Sequence, residues 1–559
     1  MKTRATSRRS PRTKAPPSAR GSPRSRNDAS PERTAPLVLD YQLAELPTAQ
    51  HRAGLAGLVL MLRWLERLPG AKPGTARLAR LDDASARVEL DPRGLQRLFD
   101  ELYAARLEEK WEKKPRDGAR PLREDVKVVR DKKGETRRER YFIYEVPVPR
   151  AGLLLSMDPT ASDRTGHWVK LWRDMLWSTL RGVPTTRGPF ISRALGESTS
   201  DAAKAWKLLT AKRRRASVSL SSTELLGAME HNAEGVSFED LPRTAFLLHF
   251  WPYVTQVYVP RTLVVKERRV LSDPRGYALA IPDVARLRTF CEVLPRALLG
   301  RGTALRGFRP QESMVDLAVE SALMTGQLLR RRLSKAEGAL AYSSLVWGYD
   351  VFHLGKDGNN VRTHGASRFE PEVEMVDAYA ALQGSLKDAL FRRTCLLNLV
   401  KQRPWYAGFD RVFATSPHEV TLGAMAFRQD ARLSLERHMH MDSNASSPSA
   451  PSLEQLVFQV ARHYVLVKLE RKHKLRWDAV KDDPSLKKTY NEKKEVVARD
   501  AFLAVRSRSG QDFIAYFAGT LCSVPQHLPV DQFVRLSQAL QTQHEDMKTL
   551  TLLALSANA

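Results

Sequence analysis

Between Leu43 and Met61 the chain reads LAELPTAQHRAGLAGLVLM, a turn that runs straight into an apolar helix seeded with small residues. Ahead of it Leu37, Leu39 and Tyr41 alternate with other residues in strand fashion. A Leu46-Pro47 turn follows, and Thr48 stands where a side-chain oxygen caps a helix expected over about Thr48 to Leu68. That helix carries Ala53, Gly54, Ala56 and Gly57 on an otherwise greasy body. Glycine is a poor helix former, so its presence inside such a helix predicts close packing against a neighbour. Taken alone, the segment reads as a buried first helix.

The order that follows predicts an α+β, multidomain chain: a mixed α/β N-terminal body over 36–440, a polar linker over 441–452 and a C-terminal helical bundle over 453–559. Ala86 to Leu90 reads as a short strand, and Asp91 caps a helix with Pro92 at its first position. Arg123 to Val146 alternates as a hairpin around a tip at Asp131-Lys132-Lys133-Gly134. Trp168, Leu171, Trp172, Met175, Leu176 and Leu180 keep helical spacing and belong to a core. Strands are expected over Gln256 to Val265 and Tyr277 to Ile281, and helices over Met314 to Leu333 and Val373 to Leu397. Asp442 to Ser452 contains no apolar residue larger than Ala or Pro, which marks a linker. Beyond it Leu453 to Trp477, Glu492 to Arg506, Gln511 to Leu521, Val530 to Gln543 and Asp546 to Ser556 all read as helices.

Charge narrows the partners. Ninety Lys and Arg face 63 acids in 559 residues, a formal +27, which is a physical argument for a polyanionic partner, nucleic acid first. Residues 1–35 form a basic arm, expected to be disordered: ten Lys or Arg stand against only Asp28 and Glu32, with no apolar face. Most of the +27 therefore belongs to the body. No run of about 18 apolar residues is present, so no membrane span is expected. Cys291, Cys395 and Cys522 lie far apart without a Cys-x-x-Cys pair, which fits a reducing cytoplasm and argues against disulfides and structural zinc.

The Leu43–Met61 segment resembles the N-terminal signature of the large subunit of type I CRISPR effector complexes (Cascade), in the myxobacterial subtype. The resemblance continues through Leu180–Phe190 (LRGVPTTRGPF), Leu247–Pro252 (LLHFWP) with Gln256–Pro260, Lys401–Tyr406 (KQRPWY), Arg499–Arg506 (RDAFLAVR) and Leu521–Gln526 (LCSVPQ), roughly everything from Pro36 onward. It implies a non-catalytic protein at the foot of a guide-RNA complex, in contact with the 5′ end of the guide CRISPR RNA and with the backbone and other Cas subunits. It also implies recognition of the protospacer-adjacent motif in target double-stranded DNA, help in opening the duplex, and recruitment of the helicase-nuclease, all in antiviral defence. In related systems a small helical subunit is also made from within the large-subunit gene, and Met439 and Met441 stand where such an internal start would fall. Two other readings fit the composition: a basic regulator of development acting on nucleic acid without guide RNA, and a nuclease with a dispersed site.

Motifs for catalysis are missing: no phosphate loop, no His-Glu-x-x-His, no Gly-x-Ser-x-Gly and no acidic set at metal-ligand spacing. His438 and His440 are two apart and diverge on a helix, and Ser485 to Lys488 matches Ser-x-x-Lys without its companion motifs. No cofactor or metal is expected. Binding candidates are the hairpin residues Lys127, Lys132, Lys133, Arg137 and Arg138, together with Arg123, Arg130 and Arg140, since a two-stranded ribbon fits a DNA groove. A solvated edge hairpin accounts for the same lysines. Lys212 to Arg215 at a helix end suits either a polyanion or the helix dipole. Lys356, Asn359, Asn360 and Arg362 lie in a Gly-rich loop suited to base edges or to an ordinary turn. Gln50, His51 and Arg52 stand at a helix start, where a phosphate or mere packing explains them. Lys468, Arg471, Lys472, Arg506 and Arg508 give the bundle a basic surface able to follow a single strand.

Overall fold

A computed structural model describes residues 35–70, 74–116, 118–130, 134–161, 166–180, 187–211, 217–220, 225–228, 238–301, 318–333, 341–358, 360–441, 451–523 and 528–559, with Ala341 and 439–441 described by backbone alone. Most of the basic arm, the Lys212–Arg215 cluster, Lys132, Lys133, Asn359, His440 as a side chain and the linker over 442–450 therefore lie outside the described residues.

The first helix, Ala49–Arg67, is capped by Thr48, whose side chain accepts from the His51 amide. Its close packing has a definite partner. A Cβ added at Gly54 or Gly57 would fall inside van der Waals distance of the backbone carbonyls of Leu247 and Phe250. The segment met there, Pro242–Tyr253, is a run of short helical turns that buries Phe246, Leu247, Phe250, Trp251 and Tyr253. Side-chain bonds fix its surroundings: the Tyr41 hydroxyl donates to the Arg243 carbonyl at 2.9 Å and the Trp172 indole donates to the Pro252 carbonyl at 2.8 Å.

Around this contact the strands form small antiparallel sheets. β1 (Leu37–Gln42), β2 (Ala76–Leu81) and β3 (Ser85–Leu90) pair in the order β1-β3-β2. β4 (Ala105–Glu112), β5 (Arg123–Arg130) and β6 (Thr136–Pro149) pair in the order β4-β6-β5. β7 (Val218–Leu220) pairs with β8 (Phe238–Asp240), and β10 (Arg261–Lys266) pairs with β11 (Arg269–Pro274). The central sheet follows the order β14-β13-β12-β9, built from β9 (Gln256–Tyr258), β12 (Tyr277–Val284), β13 (Val346–Asp357) and β14 (Asn360–Phe369). The fold is mixed α+β with a helical C-terminal region, as the sequence leads one to expect.

Several boundaries differ from expectation for identifiable reasons. The single strand expected over Gln256 to Val265 is broken into β9 and β10 around Pro260, which has no N–H for a ladder. The first bundle helix stops at His473 because Lys474 takes the left-handed conformation, and after a single short turn at Trp477–Val480 the next long helix begins at Pro484, where Asp483 caps it. The Gly355–His364 stretch is not an open loop: both of its arms are strand, with Asp357 opposite Asn360.

Among the described residues two large apolar cores result, with a small third cluster of Leu469, Val480 and Tyr490. The first gathers residues from Leu39 to Leu396. The second runs from Leu386 to Ala557, so Phe391, Phe409, Phe413 and Phe427, ahead of the linker, pack in one cluster with Phe502 and Leu550 behind it. A chain begun at Met441 would leave that aromatic surface uncovered.

Close approach at Gly57 predicts a measurable asymmetry between glycines. Gly57→Ala must push a methyl into backbone that cannot swing aside, costing about 3 kcal/mol, the upper end for overpacking. Gly384→Ala, on an exposed helix face with open space at the Cβ position, is expected to stabilise by about 0.5 kcal/mol. Urea denaturation of the two variants checks the pair.

Candidate nucleic-acid interface

β5 and β6 form the ribbon that alternation predicted, and β4 adds a third strand along the other side of β6. Pairing of Val128 with Arg138, Val129 with Arg137 and Arg130 with Thr136 brings three arginines together at the tip. Most cations lower on the sheet are already neutralised. Arg123 makes a bidentate bond to Glu109 at 2.6 and 2.9 Å, Lys113 meets Glu139 at 2.6 Å, and Arg140 pairs with Glu124. Arg116 and Lys110 converge on Glu112 and hold its carboxyl down at about 2, the hydrogen bond from Arg116 being the main cause. Lys127, opposite Glu139 in the register, makes no ion pair among the described residues and sits with Nζ 3.5 Å from the centroid of the Trp111 ring. Arg130, Arg137 and Arg138 are exposed and enter none of these ion pairs. Val126 and Val128, 55% and 64% exposed, lie on the face that carries Arg138 and Arg140.

Beneath the sheet a cavity of about 960 Å³ separates β4 and β6 from the helix His167–Ser178. Arg173 lines it and donates to the carbonyls of Pro149 and Arg150 at 2.6 and 2.7 Å. Burial, aided by Arg106, depresses its guanidinium, while burial raises the neighbouring Asp174 carboxyl.

The remaining sequence candidates fall into three environments. Gln50, His51 and Arg52 take up the packing role that the sequence left open beside a phosphate contact. Gln50 is 2% exposed and exchanges two bonds with the Leu226 backbone, at 2.8 and 3.0 Å. His51, 1% exposed, lies between Thr48 and Asp240 at 2.7 and 3.0 Å. Burial opposes the Asp240 charge, but hydrogen bonds from His51 and Thr244 outweigh it and hold that carboxyl below the usual range. Arg52 grips Asp283 with two nitrogens, stacks 5.1 Å from Trp347, and shares Asp283 with Arg368 at 2.7 Å.

At the β13–β14 turn, Lys356 and Asn360 are exposed, while Arg362 pairs with Asp357 at 3.1 Å. In the bundle Lys468 lies over Tyr464 at 5.6 Å, Lys472 reaches Asp500 at 4.0 Å, and Arg471 is exposed. Arg506 donates to the carbonyls of Ala414 and Ser416, and Arg508 stacks 4.3 Å from Tyr516, so both brace helix ends. His438 bonds the Ser434 carbonyl at 2.7 Å and stacks on Trp405. Among the described residues no group of three or more His, Cys, Asp or Glu is placed to hold a metal, and no helix is long and apolar enough to cross a membrane. Sequence reasoning missed a convergence of Arg428, Arg432, Arg462 and Lys494, which come from three helices and leave no sequence cluster.

Exposed arginines on a sheet thus stand beside a mixed α/β core and a helical C-terminal region, and family comparison gives the chain a place. Residues 75–339 match the type I-B CRISPR Cas8b N-terminal domain and residues 346–558 match the type I-B CRISPR Cas8b C-terminal domain. The chain belongs to the Cas8b family, the large subunits of type I CRISPR effector complexes. No curated protein matches it. The matched segments meet at 340–345, between β12 and β13, so the central sheet draws strands from both.

The two kinds of arginine are separable by stability. Arg52→Ala, which strips a partner from buried Asp283, is expected to cost about 3 kcal/mol. Arg137→Ala and Arg138→Ala should stay within about 0.5 kcal/mol of wild type. Thermal denaturation of the three single variants checks this, and a large loss at Arg137 would mean that the tip is structural.

Proposed function

We propose that this large subunit uses the tip of the β5–β6 ribbon to engage target duplex DNA beside the protospacer, reading the short adjacent motif and helping to open the duplex for a guide RNA. The observation that carries the reading is the concentration of exposed Arg130, Arg137 and Arg138, with Lys127, at one end of a ribbon whose other cations are neutralised. A ribbon of this width fits a major groove, and unpaired guanidiniums release counterions from phosphates. Lys356 and Asn360, with Arg362, supply a second narrow turn for base edges. Guide pairing reads the long sequence, so the protein needs to read only a short motif and hold strands. In this reading the chain is non-catalytic and works with guide RNA, the other Cas subunits and a recruited helicase-nuclease.

The test is binding of a motif-bearing duplex by the assembled guide complex at several salt concentrations. Replacing Lys127, Arg130, Arg137 and Arg138 together by Ala should reduce the slope of log K against log salt by about 3.6. An unchanged slope would make the ribbon a solvated edge. Tight, sequence-specific binding by the chain without guide would instead favour a guide-independent regulator.

A further inference from the structure

The first helix and the helix Leu287–Leu299 both line a cavity of about 290 Å³ that shares no residue with the β5–β6 ribbon. Arg63 and Arg67, one turn apart at the end of the first helix, reach it together with Arg296 from the last turn of the other. Among the described residues none of these three guanidiniums makes a hydrogen bond or an ion pair. Glu292, the one acid in the lining, is exposed and enters no ion pair among them either. A helix C-terminus favours a cation, which accounts for one arginine on each helix. It does not account for three around one small space, where each adds to the repulsion on the others. The rest of the wall is mostly apolar, with Leu60, Leu153, Met157 and the half-buried Trp64. The Trp64 indole donates to Glu101 at 2.9 Å, and its ring lies so close to Gly152 that a Cβ added there would stand 3.0 Å from it. That ring is held in place before any ligand arrives.

Arginine is the side chain whose planar fork matches carboxylate and phosphate oxygens. A single carboxylate would leave most of this charge unbalanced, whereas a phosphomonoester brings about −1.5 to −2 at neutral pH and three acceptor oxygens. Beyond the phosphoryl group the cavity has room for little more than a ring, and Trp64 offers that ring an apolar wall. We propose that this cavity binds a small, free phosphomonoester, its phosphoryl group held by Arg63, Arg67 and Arg296 and its organic part packed against Trp64. The ligand relieves the mutual repulsion of the three arginines, so binding stabilises the fold around them. The site stands apart from the ribbon and holds whether or not the ribbon meets DNA.

The experiment titrates the full chain calorimetrically with phenyl phosphate, inorganic phosphate, phenylacetate, thymidine 5′-monophosphate and 5′-phosphorylated tetrathymidylate, and follows melting in parallel. Phenyl phosphate should bind saturably at one site, more tightly than inorganic phosphate or phenylacetate, and raise the melting temperature. Arg63→Gln, Arg67→Gln and Arg296→Gln should each weaken it roughly 10-fold. Each of these variants should melt no lower than wild type without ligand, since each removes a repulsion, and this separates lost binding from lost folding. Arg67→Lys keeps the charge but not the fork and should recover only part of the affinity. Trp64→Leu should weaken phenyl phosphate while leaving inorganic phosphate as it was. Absence of saturable binding, or arginine variants that bind phenyl phosphate like wild type, would overturn the proposal. So would tighter binding of phenylacetate, which would make the cavity a carboxylate site. Tetrathymidylate bound more tightly than thymidine 5′-monophosphate would make it a strand contact and overturn the proposal as well. All of these outcomes leave the salt-slope test of the ribbon untouched.

Discussion

At Gly54 and Gly57 the first helix presents no side chain to hold off the carbonyls of Leu247 and Phe250, and the helix settles directly onto that backbone. Everything in the N-terminal body refers to this contact. The seat itself is bonded outward, through Tyr41 to Arg243 and through Trp172 to Pro252, which ties β1 and the His167–Ser178 helix to the same segment. Two residues before Gly54, Arg52 carries the helix's link onward to Asp283 of β12, and Asp283 is shared with Arg368 of β14. Glycine packing and a buried ion network thus join helix and sheet, and neither is replaceable without leaving a clash or an uncompensated charge.

The architecture also explains why packing crosses the boundaries that composition and family matches suggest. β13 and β14 lie after the boundary between the two matched family domains but complete a sheet with β9 and β12, which lie before it. Likewise Phe391, Phe409, Phe413 and Phe427 join the core of the helices beyond the polar linker. A linker marks a stretch with nothing to bury; it does not mark which elements share a core.

Local signals were legible where one residue decides the outcome. Thr48 and Asp91 cap the helices they were expected to cap, and alternation along Arg123–Val146 gave the ribbon. Gly54 and Gly57 announced a close neighbour, though nothing in sequence could name Leu247 and Phe250, nearly two hundred residues away. Charge was the harder reading. Arg52 and Arg137 look alike in sequence, but one is gripped by buried Asp283 while the other stays exposed near Glu139, which pairs with Lys113 instead, a difference fixed by long-range pairing. For the same reason Arg506 and Arg508 proved to be helix braces, and Lys494 passed unnoticed because its companions come from other helices.

The positive charge of this large subunit is therefore divided between cations spent on the fold and cations left exposed, those at the ribbon tip among them. Hydrogen exchange of the assembled guide complex, with and without a motif-bearing duplex, reads that division most directly. β5 is an edge strand, so its outward amides should exchange quickly in the absence of DNA. The account predicts slowed exchange in Arg123–Arg130 and Thr136–Tyr141 on adding duplex, with Ala49–Arg67 unchanged. Protection elsewhere with none in the ribbon would contradict it.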